Sequence, residues 1–261
     1  MSISDIAIIG QNVSLGKDVT IGPYAIIEDN VTIGDGTTVN SHAVVKSGTT
    51  IGKDCLIDSF CCIGGLPQHT KFDKNIKSGV RIGDHTSIRE YASIHRATEM
   101  NHDTLIGHHC MVQTCAHIGH DCVVGDHSII ATGSMLGGRV EIGQRCFIGG
   151  GAAVHQNAII GDLVILSGNC ATSLNLPPYV IAAEVSTIIG LNLVGLKRAN
   201  ISDNNILTLK RCFAEFYKRR GQFATRASDM INEGFASTDE TKTFLNFFLK
   251  QHKLGFAPKR K

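Results

Sequence analysis

Leu15-Gly16-Lys17-Asp18-Val19-Thr20-Ile21-Gly22-Pro23-Tyr24-Ala25-Ile26-Ile27-Glu28-Asp29-Asn30-Val31-Thr32-Ile33 decides the fold. Leu15, Ile21, Ile27 and Ile33 recur at intervals of six, and Val19, Ala25 and Val31 stand two places before the last three. A helix repeats its apolar face at 3.6 residues and a strand at 2, so neither alone produces a period of six. A parallel β-helix does: three hexapeptides close one triangular coil, and the aliphatic residues fill its interior.

The same phase runs from Ile9 to Ile63, slips once, and resumes at Ile82, Ile88, Ile94, Met100 and Ile106, continuing to Leu166. Residues 1–190 are therefore expected to form the coils and residues 191–261 a C-terminal helical domain, giving a mainly β protein. Composition agrees: 28 glycines, 6% aromatics and no tryptophan suit an interior too narrow for rings. Met1-Ser2-Ile3-Ser4-Asp5 has neither the basic region nor the apolar core of a signal peptide, and no apolar run approaches a membrane span. A cytoplasmic protein without stable membrane insertion is expected. Cys55, Cys61, Cys110, Cys122, Cys146 and Cys170 fall at the small inward position, and no Cys-x-x-Cys pair occurs. They read as small buried hydrophobes in a reducing compartment.

Two stretches interrupt the coils. Residues 65–80, which include Gln68, His69, Lys71 and Phe72, are polar and basic and read as a loop thrown out from a corner. Residues 97–104 keep the phase but are polar, and suggest a second, shorter excursion. Pro177-Pro178-Tyr179 is expected to end the repeat, since proline supplies no ladder donor. Beyond it, Ile206, Leu209, Phe213, Phe216 and Tyr217 fall at helical spacing, with Ser202 or Asp203 as a start signal. A short helix is expected near 226–234 and another near 239–252, capped by Thr238. Residues 191–261 carry 14 Lys and Arg against 6 Asp and Glu, a net of +8 that leaves −6 for the rest. This separation suggests an acidic partner near the helical end, or merely a solvated basic face; no nucleic-acid motif accompanies it.

Residues eighteen apart should lie on adjacent coils about 4.8 Å apart. His120, Gly138 and Gln156 then share one column, and Asp121 and Arg139 the next, where they can pair. His155 adjoins Gln156, and His117, one residue before an inward aliphatic, points outward. One corner thus gathers a base and an unobstructed backbone N–H able to receive an oxyanion. The same corner could hold buried water. His95, His117 and His120 also invite a zinc reading, but Gly138 and Gln156 suit acyl transfer better.

The chain resembles the UDP-N-acetylglucosamine 3-O-acyltransferases of lipid A biosynthesis over essentially its whole length. The resemblance rests on Gln68-His69-Thr70-Lys71-Phe72, Ile88-Arg89-Glu90 to Ile94-His95-Arg96, Ala116-His117-Ile118-Gly119-His120-Asp121-Cys122, Ala153-Val154-His155-Gln156, Leu176-Pro177-Pro178-Tyr179-Val180-Ile181-Ala182, Gly190-Leu191-Asn192 and Gly195-Leu196-Lys197-Arg198. It implies a left-handed β-helix, a homotrimer with sites between subunits, and an acidic acyl carrier protein as acyl donor. It implies His120 as the catalytic base, Asp121 as its support and Gly138 as the oxyanion donor. Gln68, Lys71, His117, His155, Gln156, Asn192 and Arg198 match positions that bind the UDP-sugar. Gly168 matches the position that stops the acyl chain, and glycine there implies a long 3-hydroxyacyl group. No metal or organic cofactor is implied. The chain departs from the family pattern at His69, Arg139 and Val194. His69 and Arg139 adjoin the sugar positions, so a 3-amino acceptor remains an alternative, beside an N-acyltransferase of the next lipid A stage and a non-catalytic carrier-binding scaffold.

Overall fold

The computed structural model describes residues 1–260. Among them, twenty-eight short strands form three sheets of eleven, nine and eight strands. Successive strands go to different sheets and the coils stack in parallel, as in Ser2–Ile3 on Thr20–Ile21 and His117–Ile118 on Met135–Leu136. Sheet 1 contains Ser2–Ile3, sheet 2 contains Ile8–Ile9, and sheet 3 contains Ser14–Leu15.

The period of six is the length of one side of the triangle. Ile21, Ile27, Ile33, Ile118, Val124 and Ile130 all lie inside with almost no exposure. The small inward positions close the corners. Thr37, Thr86 and Ser128 are fully buried, yet each hydroxyl donates to a glycine carbonyl (Gly52, Gly107 and Gly143, each 2.8 Å). Each also accepts from the amide one coil on, at Cys55, Cys110 and Cys146. Buried polar groups are tolerated when paired in this way. The cysteines follow the same logic: Cys55, Cys61, Cys110, Cys122 and Cys146 are buried, with thiols directed at backbone carbonyls. Burial pushes the Cys61, Cys122 and Cys146 thiols up to about 12, which removes them as nucleophiles. Cys170 is only half-buried.

The register measures both excursions. Ile27 pairs with Val45, an offset of 18, but Ile57 pairs with Ile88, an offset of 31. Thirteen extra residues leave the coil between Cys62–Gly65 and Gly79–Ile82, so the first loop is 66–78. Ile94 pairs with Ile118, an offset of 24, and six extra residues leave between Ser93–His95 and Asp103–Ile106. Met100 is therefore no coil residue despite keeping the phase; it is 52% exposed, because an insertion of six preserves a period of six.

Pro177 and Pro178 shorten the coil rather than end it. Leu176 bridges to Ile160, and Val180–Ala183 pairs in parallel with Ile165–Leu166 at an offset of 16. The chain then turns back antiparallel through Thr187–Leu191 and enters α1 (Leu193–Arg198), α2 (Asp203–Lys218), α3 (Phe223–Asn232) and α4 (Asp239–Phe247). The sequence pattern missed α1, which is too short to show a period. Ser202 caps α2, and Thr238 caps α4 with a reciprocal bond to Thr241. Phe216, Phe244 and Phe248 pack as the core of the helical part. Residues Phe256 and Lys259 return to bridge Asn175 and Ile188.

Candidate active site

His120 and Asp121 occupy the corner between sheets 2 and 3, where the backbone must turn sharply. Asp121 takes a left-handed φ of 59°, which Asp tolerates better than most residues. Arg139 repeats that conformation one coil on, at φ 60°.

Asp121 Oδ2 lies 2.7 Å from His120 Nδ1, with both side chains largely buried. Burial works to raise the Asp121 pKa, but hydrogen bonds from Thr98 and His120 outweigh it and hold the carboxyl below its ordinary value. An ionised carboxylate only accepts, so Nδ1 carries the proton and Nε2 of the neutral ring is left bare. The Nε2 edge faces Gly138: a Cβ there would overlap His120 Cε1 and Nε2. Arg139 N–H donates to His120 O and Asn157 N–H to Gly138 O, both coil-to-coil bonds, while Gly138 N–H has no partner among the described residues. The bare imidazole nitrogen thus lies against the residue that carries the free amide, the pairing of base and oxyanion donor that acyl transfer uses.

This point opens into a cavity of about 570 Å³ on the outer face of sheet 2. Gln68, His117, His120, Gly138, His155 and Gln156 line it together. Burial lowers the pKa of His117, whose Nδ1 is 2.8 Å from Ser93 Oγ. His155 Nδ1 donates to Gln156 O at 3.0 Å. His69, Lys71, Thr98 and Arg139 border a smaller recess on the other side of His120, with the His69 ring 6.2 Å from that of His120. Arg139 Nε is 3.7 Å from Asp121 Oδ2.

Three candidates lie apart from this cavity. Asn192 and Arg198 border a different recess on the face of sheet 1, with Val194. The Asn192 side chain is already occupied: it donates to Leu163 O and accepts from Gly195 N–H at the start of α1. Gly168 borders none of these recesses; a Cβ on it would meet only the Gly150 backbone, at 3.2 Å. Two residues near the base escaped the column argument. His95 lines the main cavity, and Thr98 donates twice to Asp121. Thr98 belongs to the second excursion, so no eighteen-residue offset points to it.

Fold and corner together place the chain among the hexapeptide-repeat transferases. Family models described as "Bacterial transferase hexapeptide (six repeats)" match residues 12–47 and 103–138, and "Hexapeptide repeat of succinyl-transferase" matches 139–171. "Udp N-acetylglucosamine O-acyltransferase; Domain 2" matches residues 176–257. An acyl-[acyl-carrier-protein]–UDP-N-acetylglucosamine O-acyltransferase of Chlorobaculum parvum is 46% identical over 95% of this chain and 94% of its own. Solved structures of the Acinetobacter baumannii and Campylobacter jejuni acyltransferases superpose with TM-scores of 0.93 and 0.91. They are 32% and 30% identical, over 98% and 99% of this chain and all of each structure. The chain belongs to the family of acyl-[acyl-carrier-protein]–UDP-N-acetylglucosamine O-acyltransferases, and its architecture is the left-handed parallel β-helix with a small C-terminal helical part.

Proposed function

We propose that this protein transfers a long-chain 3-hydroxyacyl group from acyl carrier protein to the 3-hydroxyl of UDP-N-acetylglucosamine, opening lipid A biosynthesis. The observation that carries the reading is the bare Nε2 of His120, backed by Asp121 and opposed by the unpaired Gly138 amide. Nε2 takes the proton of the sugar hydroxyl as its oxygen attacks the thioester carbonyl. The carbonyl oxygen becomes an oxyanion beside Gly138 N–H. Collapse expels the carrier's thiolate, which takes the proton back from the imidazolium, so proton and electron pair are both accounted for.

The active form is a homotrimer in the cytoplasm. In this reading Arg198, in the recess on sheet 1, comes from one copy and His120, in the cavity on sheet 2, from its neighbour, which accounts for their separation within one chain. No described helix is long and apolar enough to cross a membrane. Gln68, Lys71, His117, His155 and Gln156 hold the sugar nucleotide, and the basic C-terminal region meets the acidic carrier. His69 and Arg139, both beside His120, favour a 3-amino sugar as the second acceptor to consider, with an amide as product. Purified protein, acyl carrier protein loaded with a 3-hydroxyacyl chain and each UDP-sugar in turn test both acceptors. Thioester release dependent on the 3-hydroxy sugar is expected; release with neither sugar overturns the reading.

A further inference from the structure

The second excursion takes no part in the reaction set out above, yet it and the strand that follows it hold the carboxylate residue behind the base. Thr98 N–H donates to Asp121 Oδ1 at 2.8 Å, and Thr98 Oγ1 donates to Asp121 Oδ2 at 2.6 Å. In the following strand, Thr104 Oγ1 accepts from Asp121 N–H at 2.9 Å. Arg139 Nη2 donates to Thr98 Oγ1 at 3.1 Å and to Glu99 Oε1 at 3.3 Å. Because Arg139 occupies the acceptor side of the Thr98 hydroxyl, the hydroxyl proton has one place to go, Asp121 Oδ2. That oxygen is also the partner of His120 Nδ1.

We infer that Thr98 is a positioning residue for acyl transfer, delivered by the six-residue insertion to fix both the plane of the Asp121 carboxylate and the share of its charge that reaches His120. Two bonds from one residue lock the carboxylate plane, and with it the direction of the imidazole. The hydroxyl also competes with His120 for Oδ2. A carboxylate relieved of that competitor stabilises an imidazolium more strongly, and a protonated ring cannot act as the base. Arg139, held in place by Glu99 and Thr98, works in the same sense from 3.7 Å. The charged or titratable groups around His120 are Asp121 on its own turn, Arg139 one coil on, His117, His95 and His155 in the main cavity, and His69, Lys71 and Asp73 from the first loop. Of these, only Asp121 and Arg139 are tied to Thr98 by hydrogen bond or ion pair.

The inference rests on the acyl-transfer reading, so the test has one arm that needs no turnover. In Thr98→Val the backbone bond remains and the hydroxyl is lost. Expected are a fall in kcat of about tenfold or more, the size of a lost hydrogen bond to a charged group, a KM for the sugar within about twofold, and an acid limb of kcat/KM displaced to higher pH. Thr98→Ser, which keeps the hydroxyl, restores all three. The low-field proton resonance of His120 Nδ1–H, measured without substrate, shifts in the valine variant and returns in the serine variant. A valine variant with an unmoved resonance and acid limb overturns the inference, even if kcat falls, because that fall would then be ordinary loop damage. If wild-type protein turns over neither sugar, the acyl-transfer reading fails, while the resonance still decides whether Thr98 positions His120.

Discussion

The imidazole of His120 lies against the α-carbon of Gly138, one coil further on, so closely that Cε1 and Nε2 fill the place of a side chain there. Glycine at 138 is thus required by the neighbour's ring, not by backbone conformation. Gly138→Ala is expected to displace His120 and to lower kcat by at least about a hundredfold, while the coil, whose ladder bonds are untouched, keeps its Tm within a few degrees. Turnover and thermal melting, run side by side, check this. A fully active alanine variant would mean that the ring does not need this position.

His120→Ala removes the base itself. Turnover should fall by at least about a hundredfold in a folded protein, a typical size for a lost general base. Near-normal thioester transfer by a folded variant would eliminate the mechanism.

Arg139 stands where its eighteen-residue offset from Asp121 puts it, but it reaches further, to Thr98 and Glu99. Beside the recess shared with His69 and Lys71, it is expected to shape acceptor choice. Arg139→His should change the ratio of 3-hydroxy to 3-amino sugar turnover. An unmoved ratio removes Arg139 as a determinant of selectivity.

His95 is expected to make stability depend on pH. Burial, with the charges of His117 and His120, lowers its pKa from 6.5 to about 4. The unfolded chain accepts this proton near 6.5 and the folded one refuses it until about 4. The unfolded state therefore binds more protons across that window, and stability falls as pH drops through it. Burial of His117 acts in the same direction. Melting temperatures from pH 7.5 down to 4.5 should fall more steeply for wild type than for His95→Gln; parallel curves would show that His95 is not responsible.

Gly168→Met is expected to move the acyl-length optimum to a shorter chain, with the Gly150 backbone, 3.2 Å from the new Cβ, as the one close neighbour to accommodate it. Each methylene excluded from burial costs about 0.8 kcal/mol, so the change in preference should reach orders of magnitude over a few carbons. Carrier proteins loaded with ten to sixteen carbons provide the assay. An unchanged length profile in a stable variant would remove Gly168 as the stop.

What could be read in the chain divides along the coils. Ile118, Leu136 and Val154 share one phase, and that phase alone put His120 beside Gly138 and Asp121 beside Arg139. The same arithmetic failed where residues leave the coil. Met100 kept the phase by coincidence, and Thr98 sits 23 residues from Asp121, an interval with no meaning in a ladder of eighteens. Pro177 and Pro178 suggest an end to the repeat because each lacks a ladder donor, yet a coil two residues shorter absorbs them and pairing resumes at Ile181. Asn192 and Arg198 illustrate another limit: their chemistry was legible, but within one chain they belong to another face of the triangle.

Uniform stacking of the coils turns residue number into distance. Eighteen residues advance the solenoid by about 4.8 Å, and an extended hydrocarbon gains about 1.25 Å per carbon, so one coil corresponds to about four carbons. The outer wall of the solenoid is thereby graduated, like the scale of a vernier, in steps of about four carbons. Gly150 lies one graduation closer to the base than Gly168, and a Cβ there meets nothing nearer than Thr132 O at 3.3 Å. On the reading proposed above, moving a single side chain from one rung to the next would change the accepted chain length and leave His120, Gly138 and the residues around them as they are.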